Sequence, residues 1–456
     1  MSPAPAISAD PVPELENDHG AKVVSIGSPS EKSARYIKMW QENVRGGFAT
    51  FPVVLERASG HIITDVDGKE YIDMISQFAV INFGYTHPRI TEAVVKQIRK
   101  VATFNTSYVH PLYAEFASRI CKKFGYSGVA TMITGSEGVE SAVKIARKWA
   151  YVKKGIPTDE AWVITADSCY HGLTLATMPL SNHMASNFGK HLPNVGPVGP
   201  SSGRLIRFGN ADDLEIVLRE DANKIAAFMI EPIQGYSGTV VPPKGYLKAV
   251  QDLCSRYNIL FICDEVQTGY GRTGTDLAFQ NEPGVKPDLV VLGKAITGGQ
   301  LPMSAILGNE STLGLLKPYE VASTYAAAPV ACAAAIAALD VLEEEKISER
   351  SQKLGSILTE AFEKAVLPHL LDHRGKRRGL FQTLVVDEDA SSGITARRIA
   401  ALCAHRGVLV GNAANRLRFS PPLTICREDM LKAVDVVVSA FRDVSKLGDF
   451  LGSDGL

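Results

Sequence analysis

The sequence predicts an α/β protein with a large domain, built on a mostly parallel sheet between helices, and a smaller α+β domain. Three observations lead there. Short apolar runs alternate with helical or loop stretches through the middle of the chain, the pattern of strands buried on both faces. After about residue 331 the order changes to long helices followed by interleaved strands and helices, as in an α+β unit. The length of 456 residues suits one large and one small domain, each able to bury a core.

The elements follow in order. Residues 1–35 open with MSPAPAISADPVPELENDHG, which has too little hydrophobic periodicity to offset the entropy of ordering, so a flexible arm is expected. Residues 36–79 are expected to join the small domain, because VVLERASGHIITDVDGKEYIDM alternates apolar and polar residues around Ala58-Ser59-Gly60 and Asp67-Gly68, as antiparallel strands do. Residues 80–330 are expected to form the large domain, with strands in AWVITAD (161–167), KIAAFMIEP (224–232), NILFICDE (258–265) and DLVVLGK (288–294). Between them, SEGVESAVKIARKWAYVKK places Val139, Ala142, Val143, Ala146 and Trp149 on one helical stripe, with basic residues gathered at the far end. Residues 331–456 hold the helical run ACAAAIAALDVLEEE, a second helix near 350–365, the strand FQTLVVDE, a helix near 395–406, the segments VLVG and RLRFS, and a final helix.

Composition excludes several classes of function. Lys+Arg 48 against Asp+Glu 49 gives a net charge of −1, and no basic run occurs, so neither a nucleic acid nor an anionic membrane is the expected partner. No stretch approaches the roughly 18 apolar residues that cross a bilayer. The seven cysteines are odd in number and form no C-x-x-C pair, which reads as reduced thiols rather than a disulfide or zinc framework. The first residues lack both a basic region and an apolar stretch of the kind export signals carry, so a cytoplasmic protein is expected.

Two glycine motifs are set aside. Gly269 to Gly274 satisfies G-x-G-x-x-G, but only TDLAFQNE follows before Pro283, where a dinucleotide fold needs a long helix. Gly199 to Gly203 satisfies G-x-S-x-G in the loop NVGPVGPSSG, with no helix behind it. The histidines show no metal-ligand spacing, and no metal is expected.

Polar residues at the ends of apolar strands carry more. Thr134-Gly135-Ser136-Glu137 opens a helix, where free N–H groups and the positive dipole end can hold a phosphate; ordinary N-capping would also explain it. Asp264 follows the apolar NILFIC, at the carboxyl edge where open α/β sheets place their ligands. Lys294 in LVVLGKAITGGQLP is a lone lysine at the end of another such strand; desolvated, its amine can attack a carbonyl, although a snorkelling surface lysine would read the same way. Glu231 heads the string Glu231-Pro232-Ile233-Gln234-Gly235 after a third strand. An amine, an acid to keep a pyridine nitrogen protonated, and donors for a phosphate are together what pyridoxal 5'-phosphate requires.

At these residues the chain resembles the class-III, ornithine aminotransferase-like aminotransferases of fold type I. The likeness runs over about residues 45–440, and FICDEVQTGYGRTG followed by PDLVVLGKAITGG is its most specific part. The resemblance implies that Lys294 is the lysine that carries the cofactor and moves the substrate proton, and that Asp264 pairs with the pyridine nitrogen. It implies that Val266 packs under the ring, that Gln267 reaches the phenolic oxygen, and that Gly135 and Ser136 hold the phosphate. Tyr170 would stack on the ring with His171 beside it, and Glu231 would lie next to the site. Thr324 would reach the phosphate of a neighbouring subunit, which makes the enzyme an obligate homodimer with shared sites. Arg418 in RLRFSPP would grip a substrate carboxylate. The implied activity is ping-pong transfer of an amino group from an amino acid or amine to a keto acid.

Departures from that family bear on substrate. Ornithine and acetylornithine aminotransferases carry a glutamate after E-P-x-Q-G, where this chain has Tyr236. Two tyrosines that hold the diamino acid appear here as Phe48 and Phe78, an arginine appears as Leu173, and a Gly-Gly-Asn string as Ala326-Ala327-Ala328. A pocket lined this way leaves a distal ammonium or carboxylate without partners, at about 1–3 kcal/mol per group. An apolar or aromatic substrate side chain is therefore expected, with pyruvate or another keto acid favoured over 2-oxoglutarate. Racemase, aminomutase or decarboxylase chemistry on the same lysine is the alternative, and a non-catalytic binding protein that retains the fold is the alternative of another class.

Overall fold

A computed structural model describes residues 29–48, 50–181, 188–189 and 192–453. Most of the expected flexible arm lies outside the described residues. Residues 31–35 of it are helical, because α1 (Glu31–Asn43) starts at Glu31 with Ser30 as its N-cap, accepting the Ser33 N–H at 3.0 Å. The Ser30 and Ser33 hydroxyls donate to Asp67, which ties α1 to the turn between the next strands.

Those strands are β1 (Leu55–Ser59), β2 (Ile62–Asp65) and β3 (Glu70–Asp73), joined antiparallel. Helices α2 (Pro88–Ile98) and α3 (Pro111–Phe124) lead to β4 (Gly128–Met132) and α4 (Gly135–Trp149). There follow β5 (Trp162–Thr165), β6 (Val195–Gly196), α5 (Ala211–Asp221), β7 (Ile225–Ile230), α6 (Tyr246–Arg256), β8 (Leu260–Asp264), β9 (Leu289–Leu292) and β10 (Ser304–Gly308). The rest of the chain holds α7 (Pro329–Glu344), α8 (Ile347–Lys364), β11 (Leu370–Arg374), β12 (Gln382–Val386), α9 (Ala396–His405), β13 (Val408–Leu409), β14 (Gly411–Ala413), β15 (Arg416–Phe419) and α10 (Arg427–Asp443). No helix of the described residues is long and apolar enough to cross a membrane.

The central sheet has seven strands in the order β4-β10-β9-β8-β7-β5-β6, with β10 antiparallel to both neighbours and β9 through β6 parallel. Every residue of β7, β8 and β9 is buried, and alternation divides them between two faces. Ala227, Met229, Ile262 and Val291 pack with Val139, Ala142, Val143 and Ala146 of α4, while Phe228, Ile230, Phe261 and Leu292 pack into the larger core on the other face. That two-sided burial is why these strands read as unbroken apolar runs.

Two smaller sheets complete the fold. In one, β13 lies parallel to β3, so the early strands pair with a late one. In the other, β11, β12, β15 and β14 are antiparallel.

The set-aside glycine string turns out to be structural. After β8 the chain makes turns through Gly269–Gly274, and the next helical segment is the short 3-10 turn Ala278–Asn281. Within the string, Arg272 is fully buried. It donates to Leu380 O at 2.9 Å, Pro421 O at 2.7 Å, Ser76 Oγ at 3.1 Å, and Asn82 Oδ1. Burial lowers its pKa to about 9, with Asp73 acting in the other direction, so it remains charged at neutral pH. One guanidinium thereby joins the central-sheet loop, the segment before α2 and the β12/β15 region.

Arg272→Met should cost about 3 kcal/mol or more, because it strands several buried acceptors at once. Urea unfolding of wild type and variant checks this; equal midpoints and slopes would contradict it.

Candidate active site

Lys294 and Asp264 come from neighbouring strands, β9 and β8, at their carboxyl ends. Lys294 begins a 3-10 turn with φ +44, a left-handed backbone that costs a non-glycine residue about 1–2 kcal/mol. Its amine is pushed down to about 8 by burial first and by Arg418 second, while Asp264 and Glu231 pull the other way. A large share of it is therefore the free base near pH 8. Asp264 is buried, takes the Val266 N–H at 3.0 Å on Oδ1, and is met on Oδ2 by His171 Nδ1 at 2.7 Å. His171 is itself buried, and its Nε2 has no partner among the described residues. The histidine thus orients the carboxylate.

The phosphate-binding candidates open α4. Thr134 caps this helix in a reciprocal box: its hydroxyl takes the Glu137 N–H at 3.2 Å, and Glu137 Oε2 takes the Thr134 N–H at 2.7 Å. The N–H groups of Gly135 and Ser136 have no intrahelical acceptor and face the edge of the sheet. Here glycine is required by space: a Cβ at Gly135 would sit 2.8 Å from Val266 Cγ1, and one at Gly172 would sit 2.3 Å from Ser136 Oγ. The residues bring Val266, Gly135 and Gly293 together as one close-packed floor.

Glu231, buried at the end of β7, accepts the Tyr170 N–H on Oε1 at 2.9 Å and the Gly235 N–H on Oε2 at 3.0 Å. Burial raises its pKa, and His171 opposes the rise. By holding both backbones it sets two turns against each other, and the rings of Tyr170 and Tyr236 stack at 5.1 Å with 21° between planes. Burial also raises the Tyr170 phenol's pKa. Gln267 Nε2 donates to Phe78 O at 3.1 Å, and its Oε1 lies where a Gly235 Cβ would be.

Arg418, on β15, is buried, and desolvation lowers its pKa to about 10. Its guanidinium lies 5.5 Å from the Phe78 ring centre, and Phe78 meets Phe48 at 5.1 Å. Phe48 is 73% exposed, so this wall borders the mouth. Thr324 and Leu173 are exposed, whereas Ala326, Ala327 and Ala328 are buried in the core.

Sequence reasoning missed what holds Phe78. Ser76, Gln77, Phe78 and Ala79 have φ of +45, +52, +59 and +71, a left-handed turn with no glycine in it. Asp73 Oδ1 takes the Ile75 and Ser76 N–H groups at 2.8 and 2.9 Å, and Ser420 Oγ donates to Ile75 O at 2.9 Å. The only sequence signal was Asp73, a carboxylate ending an apolar strand.

A desolvated lysine and a buried aspartate at the ends of adjacent parallel strands, beside an anion-ready helix start, define a pyridoxal-phosphate enzyme of fold type I. Comparison with known proteins gives the family. The sequence model described as Aminotransferase class-III matches residues 45–441, and the chain belongs to that family. It is 40% identical over 396 residues to an ornithine aminotransferase of Schizosaccharomyces pombe, covering 86% of this chain and 90% of that one. One ornithine aminotransferase structure from Toxoplasma gondii superposes with a TM-score of 0.84 at 33% identity, covering 90% of this chain and 95% of that one, and a second, described with partial occupancy of PLP at the active site, gives the same score and identity and covers 94% of that chain. An acetylornithine aminotransferase of Elizabethkingia anophelis gives 0.78 at 34% identity, covering 90% and 99%.

The protein is therefore a pyridoxal-phosphate-dependent aminotransferase, and its residues fit the cofactor. Gly135 and Ser136 would hold the phosphate, Val266 and Tyr170 would bound the ring, Asp264 would meet its nitrogen, and Lys294 would hold its aldehyde carbon. When bound, the cofactor supplies an electrophilic carbon and a ring that takes up charge from the substrate α-carbon. The chain would supply the rest: Lys294 Nζ, as free base, would take and return the α-proton; Asp264, fixed by His171, would face the ring nitrogen; Arg418 would orient the substrate carboxylate.

Because the Lys294 amine titrates near 8, loading of the cofactor-free protein should accelerate as pH rises from 7 to 9 and level off above. Stopped-flow absorbance after mixing with pyridoxal phosphate reads this, and Lys294→Ala should lose both the covalent phase and turnover. A rate flat across that range would contradict the lowered value.

Proposed function

We propose that this aminotransferase accepts an α-amino acid with an apolar or aromatic side chain and passes the amino group to a small keto acid such as pyruvate, as a cytoplasmic homodimer with shared sites. One observation carries the substrate reading: a buried arginine whose surroundings are aromatic rather than acidic. Phe78 covers the Arg418 guanidinium, Phe48 extends that wall, and Tyr236 stacked on Tyr170 adds a second aromatic pair. Among the described residues no carboxylate lies within ion-pair distance of Arg418, and Glu231 acts on it only from further off. A substrate carboxylate is the natural counter-charge, and rings beside it favour an apolar side chain over an ammonium.

The names of the similar proteins favour a second reading, in which L-ornithine is the donor. Half-reactions followed by loss of cofactor absorbance separate the two. L-phenylalanine or L-leucine should exceed L-ornithine in kcat/KM by about tenfold or more, the factor for one unpaired polar group. Faster reaction with L-ornithine would overturn the proposal.

The dimer reading is supported by large apolar side chains left open on this chain: Tyr108, Val109, Tyr319 and Tyr325 are 77%, 95%, 94% and 63% exposed, and Thr324 stands among the last of these. A second copy would cover such a surface. Shared sites make a specific expectation for mixtures. Lys294→Ala and Thr324→Glu, each inactive alone, should regain about a quarter of wild-type activity when co-expressed, since half the dimers are mixed and each has one intact site. No recovery in purified mixed dimers would sink the shared-site reading.

A further inference from the structure

The turn Gly235–Thr239 carries Tyr236 and lies between two sheets. From the central-sheet side, Glu231 holds the Gly235 N–H and Ser237 Oγ donates to Ser168 O. From the other side come contacts from the β11-β12-β15 sheet. Arg416 Nη1 donates to Ser237 O at 3.0 Å, Arg374 Nη1 donates to the same oxygen at 3.4 Å, and Thr239 Oγ1 meets Thr383 Oγ1 at 2.9 Å. Gly238 has φ +92, and a Cβ there would lie 2.6 Å from Arg416 Cδ. The arginine stem therefore packs directly onto the turn.

Arg416 precedes Arg418 by two positions on β15, so both side chains leave the same face of the sheet. Their tasks differ. Arg418 faces the Phe78 ring, whereas Arg416 is committed to backbone: its Nε donates to Ala413 O at 3.2 Å while its Nη1 holds Ser237 O. Arg374 is steadied by Asp372 at 2.8 Å. Two guanidinium groups on one carbonyl oxygen repel each other, and the arrangement persists because each has a second anchor.

We infer that Arg416 is a positioning residue that fixes the turn 235–238 from the small-domain sheet and thereby sets substrate selectivity through the Tyr236 ring. The inference rests on the reading of Tyr236 as a wall of the substrate site. A turn bound at its first residue by Glu231 and at its third by Arg416 has little freedom at the residue between. Without Arg416 the backbone at 237 loses its stronger small-domain tie, and the near-parallel contact of Tyr236 with Tyr170 loosens.

The test is a double-mutant cycle on the holoenzyme with Arg416→Gln, Tyr236→Ala and the pair, each assayed with L-phenylalanine and L-alanine. Arg416→Gln should raise KM for the aromatic donor about tenfold, leave kcat within about twofold, and lower the phenylalanine-to-alanine preference; in the Tyr236→Ala background it should change KM by less than about twofold. Arg416→Lys, which can still donate to Ser237 O, should recover most of the loss. Visible circular dichroism of the bound cofactor should change with Arg416→Gln and not with Arg416→Lys. The inference is overturned if Arg416→Gln has its full effect without Tyr236, which would make it an independent anion ligand, or if it leaves the preference untouched. Should Arg416→Gln fail to fold, Thr383→Val removes another of the small-domain ties and must shift the preference the same way. If wild type prefers L-ornithine, the substrate proposal fails on that result alone, and the same cycle run with L-ornithine still measures whether 416 acts through 236.

Discussion

Strands buried on both faces can carry charge only where they end, and that constraint organises this protein. β7, β8 and β9 admit no polar side chain along their length, and each releases one at or just past its carboxyl end: Glu231, Asp264 and Lys294. Because the strands are parallel neighbours, the three groups arrive at one edge without any further device. Two buried carboxylates and one amine are then joined by Arg418 from the other sheet. The balance of these acids and bases, with His171 paired to Asp264, is what lets each remain in so dry a place, since an unpaired charge there costs several kcal/mol. The lowered amine of Lys294 is the visible remainder of that balance, with burial and Arg418 prevailing over Asp264 and Glu231.

Glu231 shows how a charge at that edge also shapes the walls. Each of its oxygens accepts a backbone N–H, from Tyr170 and from Gly235. Its work is to bring two loops to a fixed separation, and the stacked tyrosines follow. The floor obeys the same logic through absence: Gly135 and Gly293 approach Val266 as closely as they do because neither has a Cβ.

The central strands were legible because their burial leaves a signature in composition, and Asp264 and Lys294 were legible as charges interrupting it. The helix stripe from Val139 to Trp149 was read for the same reason, since one face packs on the sheet. What could not be read depends on partners far away in the chain. Arg272 sat inside a glycine string that local context rightly excluded as a dinucleotide site, yet its role appears only when Ser76, Leu380 and Pro421 are brought to it. The left-handed turn at Ser76–Ala79 runs against local preference and exists because Asp73 and Ser420 hold it. β6, β13 and β14 are too short to leave a periodic pattern. Gln267 was named by likeness to the family, and its bond to Phe78 O, far away in the chain, left no local signal.

The two groups proposed to act on one substrate stand on different sheets. Lys294 belongs to the central sheet and Arg418 to the small antiparallel one, so the distance between amine and guanidinium is a property of how the two sheets pack. Two polar junctions govern that packing. Arg272 reaches from the central-sheet loop to the carbonyls of Leu380 and Pro421, which flank β12 and β15, and Arg416 reaches back from β15 to Ser237. Hydrophobic contact would hold the sheets together but would tolerate sliding, since it is non-directional. Guanidinium groups bound to several oxygens do not tolerate it, because each bond fixes a direction as well as a distance. The strained turn bearing Phe78 is pinned at the first of these junctions and the turn bearing Tyr236 at the second. On the proposed reading of the site, selectivity for the substrate's side chain and alignment of its carboxylate would be set by the same few bonds that set the sheets.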